Sequence, residues 1–332
     1  MLITLSAAAL ETGQEAKTAA KKNSRNQVYG SFSTFERVYE PSGIHQLPDG
    51  RFIIVEDDKR QPITLVAITS EGRFSETRLN PKEIFKKGGE GSRMRKLDDL
   101  EAVAVDRYGQ VYAITSHSRN SKGKSKKSRE KLTRFEIFES TIVKPVIVES
   151  LSDALSDTHP LLKQAAEIDN VKAAGGLNIE GLCFDPAEEQ LLIGFRSPLA
   201  NGKAIIAAIE NVDETFKKDG IPKISDELIR LDLNGEGIRG MTYDHHMNGY
   251  FIISGPVGMR ENPFHLWFWH GGDSRPAAVR IANLDNIEYA EGIAAFRTKE
   301  KSGVLIVSDD GNYDKEKPAQ YIFLDYNRIT FD

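Results

Sequence analysis

Cysteine is almost missing from this chain: a single residue, Cys183, in 332. One thiol excludes an intramolecular disulfide framework and any cysteine-built zinc site. It falls in an apolar run, where a buried thiol is expected rather than a nucleophile. Long hydrophobic runs are missing too. None approaches the ~20 residues that a membrane helix needs, so no membrane partner is expected. Basic charge is not in excess, with 44 Lys and Arg against 49 Asp and Glu, a net charge of −5. The uniformly basic surface of a nucleic-acid binder is therefore not expected. Several motifs are incomplete. "GGEGSR" from Gly88 lacks the Lys-Ser/Thr ending of a phosphate loop, and "SDDGNYDKE" from Ser308 lacks EF-hand spacing. No Gly-x-Ser-x-Gly elbow occurs.

What is present is an ordinary globular composition, 39% hydrophobic and 28% charged. The opening "MLITLSAAALETGQEAKTAAKK" has no positive residue ahead of its apolar stretch, as an export signal usually has. A cytoplasmic protein is expected, with an exported one whose signal has been removed as the alternative. Residues 1–27 read as a loose leader and residues 28–332 as one domain. A monomer is expected.

That domain repeats itself. Five segments share one plan: "SGIHQLPDGRFIIVEDD" from Ser42, "EAVAVDRYGQVYAITSHS" from Glu101, "EGLCFDPAEEQLLIGFRS" from Glu180, "RGMTYDHHMNGYFIISGP" from Arg239 and "EGIAAFRTKEKSGVLIVSDDG" from Glu291. Each runs charged or polar residue, small residue, apolar strand, turn, second apolar strand, polar cluster. The turns carry hairpin chemistry such as Pro-Asp-Gly and Asn-Gly. Two further strand-like runs follow most hairpins, for example "ITLVAITS" and "RFSETRLN" after the first. Four strands per unit, repeated about every 40–80 residues, is the signature of a β-propeller. The last unit lacks a fourth strand, which the run "YGSFSTFERVYE" ahead of the first unit can supply. The expectation is an all-β, single five-bladed propeller, with six blades as the alternative. The leucines of "LSDALSDTHPLLKQAAEIDNVKA" add a short helical insertion near residues 151–172.

In a propeller the start of each first strand and the end of each second strand meet at one mouth of the central channel. Aligned units place Ser42, Glu101, Glu180, Arg239 and Glu291 in one ring. A second ring holds Asp57, Ser116 with His117, Arg196 with Ser197, Ser254, and Ser308 with Asp309. Convergent carboxylates raise one another's pKa unless a cation separates them. Two answers stay open. Arg196 and Arg239 can pair with Glu180 and Glu101 in a closed network that fixes the ring. Or a divalent cation, Ca2+ or Mg2+, can sit on the oxygens of Asp57, Glu101, Glu180, Glu291 and Asp309.

The motifs "DLEAVAVDRYGQVYAITSHSRNSKGKSKKSREKLTRFEI", "LNIEGLCFDPAEEQLLIGFRSPLANGKAIIAAIEN" and "YAEGIAAFRTKEKSGVLIVSDDG" resemble a bacterial propeller family, domain of unknown function 3616. The likeness covers most of residues 40–325, and the family implies a propeller fold without an assigned activity. More loosely, the Glu-Gly strand plan is similar to phytase-like and regucalcin-like propellers, some of which bind calcium in the channel. Arg239 and Ser42 depart from the Glu of the other units, so a fully acidic calcium ring is not expected.

Two functions are open. In the first, the mouth takes a small anionic molecule on Arg196, Arg239, Ser116, Ser197 and Ser254. His117 and Glu180 serve as acid–base groups in a metal-assisted hydrolysis of a phosphoester, ester or lactone. The alternative is a non-catalytic binding or interaction propeller. The stretch from Arg119 to Lys131, with seven positive charges, reads as a solvated loop or as a lid above the channel. His245 and His246 read as surface residues. His265 and His270 flank the aromatic run Leu266–Trp269 and read as packing.

Overall fold

Inner strands that must crowd round an axis need small residues and two buried faces, and the chain supplies both. The computed structural model describes residues 31–332, apart from 59, 71, 90, 259–262, 274, 283, 285, 286, 288 and 300. The leader expected over residues 1–27 lies outside them. Five antiparallel sheets follow one another. The first holds β2 (Pro41–Gln46), β3 (Phe52–Glu56), β4 (Ile63–Ile68) and β5 (Phe74–Arg78). The second holds β6 (Leu100–Val105), β7 (Val111–Thr115), β8 (Leu132–Phe138) and β9 (Thr141–Val148). The third holds β10 (Asn178–Asp185), β11 (Gln190–Ser197), β12 (Ala204–Ile209) and β13 (Ile229–Leu231). The fourth holds β14 (Gly237–Asp244), β15 (Gly249–Gly255), β16 (His265–Trp269) and β17 (Ala277–Ile281). The fifth holds β18 (Ala290–Arg297), β19 (Ser302–Ser308) and β20 (Gln320–Asp325).

The fold is a five-bladed propeller; among the described residues there is no sixth blade in the longer spacers. Closure is as the missing strand requires: β1 (Ser33–Thr34) pairs with β20, so the N-terminal segment completes the last blade. A second tie was not expected. The C-terminal β21 (Ile329–Phe331) crosses to the fourth blade and pairs with β17. The two ends of the chain thus fasten different blades. The helical insertion consists of α2 (Leu151–Thr158), α3 (Pro160–Ala166) and α4 (Val171–Ala174), numbered after α1 (Pro81–Ile84). Pro160 starts the second of them, a position where its missing N–H costs nothing. Leu151, Leu155 and Leu162 are fully buried and seal the core between the second and third blades.

Core formation explains why the second strands read as almost unbroken apolar runs. Successive side chains point to opposite faces of a strand. Each face of a blade packs on a different neighbour. On β3, Ile53 and Val55 enter the core shared with the second blade, while Phe52 and Ile54 enter the core shared with the fifth. On β15, Ile252 faces the third blade, and Phe251 and Ile253 face the fifth. Cys183 lies in the core between the third and fourth blades, where burial raises its thiol pKa.

Every inner strand carries a β-bulge at the same place. The register skips Ser42 in β2, Glu101 in β6, Glu180 in β10, Arg239 in β14 and Glu291 in β18. A bulge leaves one residue unpaired and re-aims its side chain. The small residue that follows packs on the next inner strand. A Cβ on Gly43 would lie 2.9 Å from the Ala102 Cα, and one on Gly240 would collide with the Glu291 carbonyl oxygen. Backbone cannot yield as a side-chain tip can. Gly240→Ala is therefore expected to destabilise the fold by about 1–3 kcal/mol, the usual cost of overpacking. Urea unfolding of the two proteins measures it, and an unchanged midpoint would contradict this packing.

Candidate functional site at the ring mouth

The bulges deliver their side chains to one end of the channel. Glu180 is the centre of the network there. Its Oε1 accepts from Arg196 Nη1 at 3.1 Å and from Asn178 Nδ2 at 2.8 Å. Its Oε2 lies 3.0 Å from Arg239 Nη1, in an ion pair outside hydrogen-bond geometry. Arg239 then reaches Glu291 through Nη2 and stacks 5.2 Å above the Phe264 ring. Arg196 continues away from the axis, donating through Nε to the Pro256 carbonyl at 3.0 Å. Both guanidiniums are thus committed to carboxylates or backbone oxygens.

Glu101 is not in this clasp. The expected pairing of Arg196 and Arg239 with Glu180 and Glu101 is corrected to Glu180 and Glu291. Blades follow chain order round the ring, so Arg239 sits between Glu180 and Glu291, with Glu101 two blades away. Glu101 is 9% exposed, and no ion pair or hydrogen bond reaches its side chain among the described residues. Burial pushes its pKa well up, with Asp99, Glu180, Asp57 and Glu291 adding repulsion.

The second ring divides. Burial, a hydrogen bond with Glu40 and the charge of Asp309 raise the pKa of Asp57 to about 9. Asp309 is raised well above the normal range by burial and by Glu291 and Glu40. Ser116 is fully buried and donates to Asp99, whose other oxygen lies 2.9 Å from Arg129 Nη2. Ser197 donates to the Gly176 carbonyl, and Ser308 Oγ is buried with no partner among the described residues. Ser254 donates to Glu236 and accepts from Trp267 Nε1 at 2.8 Å, while His265 Nδ1 lies 2.9 Å from the same Glu236. His265 is thus held by an acid rather than merely packed.

His117 takes a different direction from the ring. It has a left-handed backbone, φ 54°, and its Nδ1 donates to the Thr115 carbonyl at 2.8 Å. Burial lowers its pKa to about 4, and the charge acting on it is Glu130 of the basic loop rather than a ring carboxylate. Its Nε2 is buried without a partner among the described residues.

Three acids and one base of this mouth were not singled out from the sequence. Glu40 and Asp99 stand two residues ahead of Ser42 and Glu101, just before the aligned units begin. Glu236 stands three ahead of Arg239. Arg129 belongs to the basic loop, which is pinned at both ends. Arg119 Nε donates to the Ala166 carbonyl at 2.8 Å, on the helical insertion, and Arg129 binds Asp99. Among the described residues, no three His, Cys, Asp or Glu side chains are placed to hold one metal ion. No helix among the described residues is long and apolar enough to cross a membrane.

These pKa shifts set a direction for stability. Asp57, at about 9, and Glu56, buried and raised to about 7, hold protons in the native state that an unfolded carboxylate has released near pH 4. Their stabilising contribution is full below pH 4 and is lost as pH rises through the folded values. His45 and His117, both lowered to about 4 by burial, act only below their unfolded value of about 6.5. Between about pH 6.5 and 8.5 the carboxylates alone decide, so the melting temperature is expected to fall as pH rises. Asp57→Asn should flatten that slope. Calorimetric scans across this range check it, and a rising melting temperature would contradict the protonated mouth.

Solved structures similar to this chain include distant likenesses. A putative oxidoreductase (glucose dehydrogenase) from Thermus thermophilus is 13% identical, with TM-score 0.42, over 90% of this chain and 100% of that one. The allergen Mala s 1 of Malassezia sympodialis is 13% identical, with TM-score 0.40, over 88% of this chain and 78% of that one. A GH43 β-1,3-galactosidase is 12% identical, with TM-score 0.43, over 87% of this chain and 94% of that one. At these scores none carries an inference about activity. No curated protein matches the sequence. A family model does match, over residues 72–325, which span all five inner strands but the first. With its repeated bulge motif on the page, the chain belongs to the family described as protein of unknown function (DUF3616).

Proposed function

We propose that the protein is a ligand-binding propeller whose ring mouth receives a small organic cation, an ammonium or guanidinium group. The observation that supports this reading is Glu101. It is buried, unpaired among the described residues, and surrounded by other acids. Glu40, Asp57, Asp99, Glu101, Glu180, Glu291 and Asp309 face one another across the mouth, against Arg129, Arg196 and Arg239. A cation entering beside these acids favours their ionised form and is held by each carboxylate it helps to ionise.

An anion on Arg196 or Arg239 competes with this arrangement. It has to displace Glu180 or Glu291 and leave that carboxylate buried without a partner, which typically costs ~3–5 kcal/mol. A cation instead supplies what Glu101, Asp57 and Asp309 lack. Because burial and neighbouring acids raise the pKa of these groups, a cation beside them lowers it again, and its entry should expel a proton. No bond in the ligand is broken in this reading.

The test is calorimetric titration of 1,4-diaminobutane, CaCl2 and sodium phosphate into the wild type, Glu101→Gln and Arg196→Ala. Gln matches Glu in shape and carries no charge, so the fold is kept. Heat is expected with the diamine, with proton release visible as a dependence on buffer ionisation, and it should vanish in Glu101→Gln. Heat with calcium alone that vanishes in Glu101→Gln would overturn the reading in favour of a metal-assisted site. Heat with phosphate that vanishes in Arg196→Ala would overturn it in favour of an anion site. Silence with the diamine ends it.

A further inference from the structure

The other end of the channel is built on equally regular positions. Four residues beyond each bulge stand Gln46, Val105, Phe184, Tyr243 and Ala295. All five line one cavity of about 730 Å³. Two residues further, at the end of β18 or in the turns that follow the other inner strands, stand Pro48, Arg107, Pro186, His245 and Arg297, and these line it too. Each blade therefore contributes twice, and the cavity lies on the axis, with a largely apolar floor and a charged rim. Its volume falls within the ~300–1,000 Å³ of small-molecule sites.

The charge here is opposite to that of the ring mouth. The two acids in the wall are already used. Asp49 is paired with Arg51 at 2.7 Å. Asp106 is 8% exposed and accepts from the Tyr108 and Gln110 amides and from the Tyr112 hydroxyl, at 2.8, 2.9 and 3.0 Å. Of the cations, Arg107 binds Glu189. Arg297 and Lys299 have no carboxylate partner among the described residues. Arg297 is fixed through its backbone, which exchanges two hydrogen bonds with the Gln46 side chain, at 2.8 and 3.0 Å. Deeper in, His45 Nδ1 lies 2.9 Å from the Gln46 carbonyl, so it must carry the proton. In a neutral ring that leaves Nε2 as an acceptor for a ligand hydroxyl.

We propose that this far mouth is a second ligand site, for a small hydroxylated anion of the sugar phosphate or sugar acid class. Arg297 and Lys299 hold the phosphate or carboxylate at the rim. The sugar ring lies on the apolar floor of Val105, Phe184 and Tyr243, with a hydroxyl donating to His45. This site shares no residue with the ring mouth and stands apart from the function proposed there.

The experiment is titration of the full chain with glucose 6-phosphate, gluconate and glucose, read by calorimetry. Variants are Arg297→Ala, Lys299→Ala and, as a control on the opposite mouth, Arg196→Ala. Arg297 and Lys299 are exposed, so their variants should melt as the wild type does without ligand. Binding of either anion, weakened about tenfold or more by Arg297→Ala and by raised salt but not by Arg196→Ala, is the expected result. The arm that binds tells phosphate from carboxylate. Three results would overturn the proposal: no binding of either anion, glucose binding as tightly as glucose 6-phosphate, or a loss confined to Arg196→Ala.

Discussion

One bulge, repeated five times, is the constraint on which the rest of this molecule depends. Five inner strands can close round an axis only if their backbones nearly touch. Gly43, Gly240 and Gly292 each face backbone of a neighbouring inner strand, where a Cβ does not fit. The extra residue just ahead of them turns its side chain toward the axis. A charge placed there is buried by geometry and must be paired. Arg239 answers that need by bridging Glu180 and Glu291, and Arg196 ties Glu180 to the backbone of the fourth blade. Glu180, near the start of β10, and Arg196, near the end of β11, together lock the third blade to the fourth. Glu101, two blades from Arg239, has no cation partner among the described residues.

The blades supply the second half of the stability. Because each face of a blade is covered by a neighbour, five separate cores form between blades rather than one at the centre. The axis is free of that duty. It ends in two mouths of opposite character, an acidic one where side chains converge at the bulges and a basic one where turns diverge from the strand ends.

The fold was legible because the constraint leaves a mark in every unit. A polar residue, a small residue and an apolar run recur at Ser42, Glu101, Glu180, Arg239 and Glu291, and the absent fourth strand pointed to closure by the N-terminal segment. The crossing of β21 was not legible, since "ITF" is too short to name a partner on another blade. The ring is legible as a set of positions, but its pairing is not. The pattern shows which residues share a level, whereas pairing follows from the blade order that separates Glu101 from Arg239. Asp99 and Glu40 escaped because they precede the repeat. Arg107 and Arg297 escaped because they lie at strand ends and turns, where a charged residue usually signals only solvent.

Removal of either partner alone confuses pairing with the cost of stranding a buried charge. The coupling between them does not. A double-mutant cycle with Glu180→Gln and Arg239→Gln, read by urea unfolding near neutral pH, isolates that term. If the clasp holds the third, fourth and fifth blades together, the coupling energy should lie at about 1–3 kcal/mol and shrink little with added salt, since both side chains are at most 7% exposed. Strictly additive effects would show that the two charges do not support each other, and the bulged ring would not be a clasp.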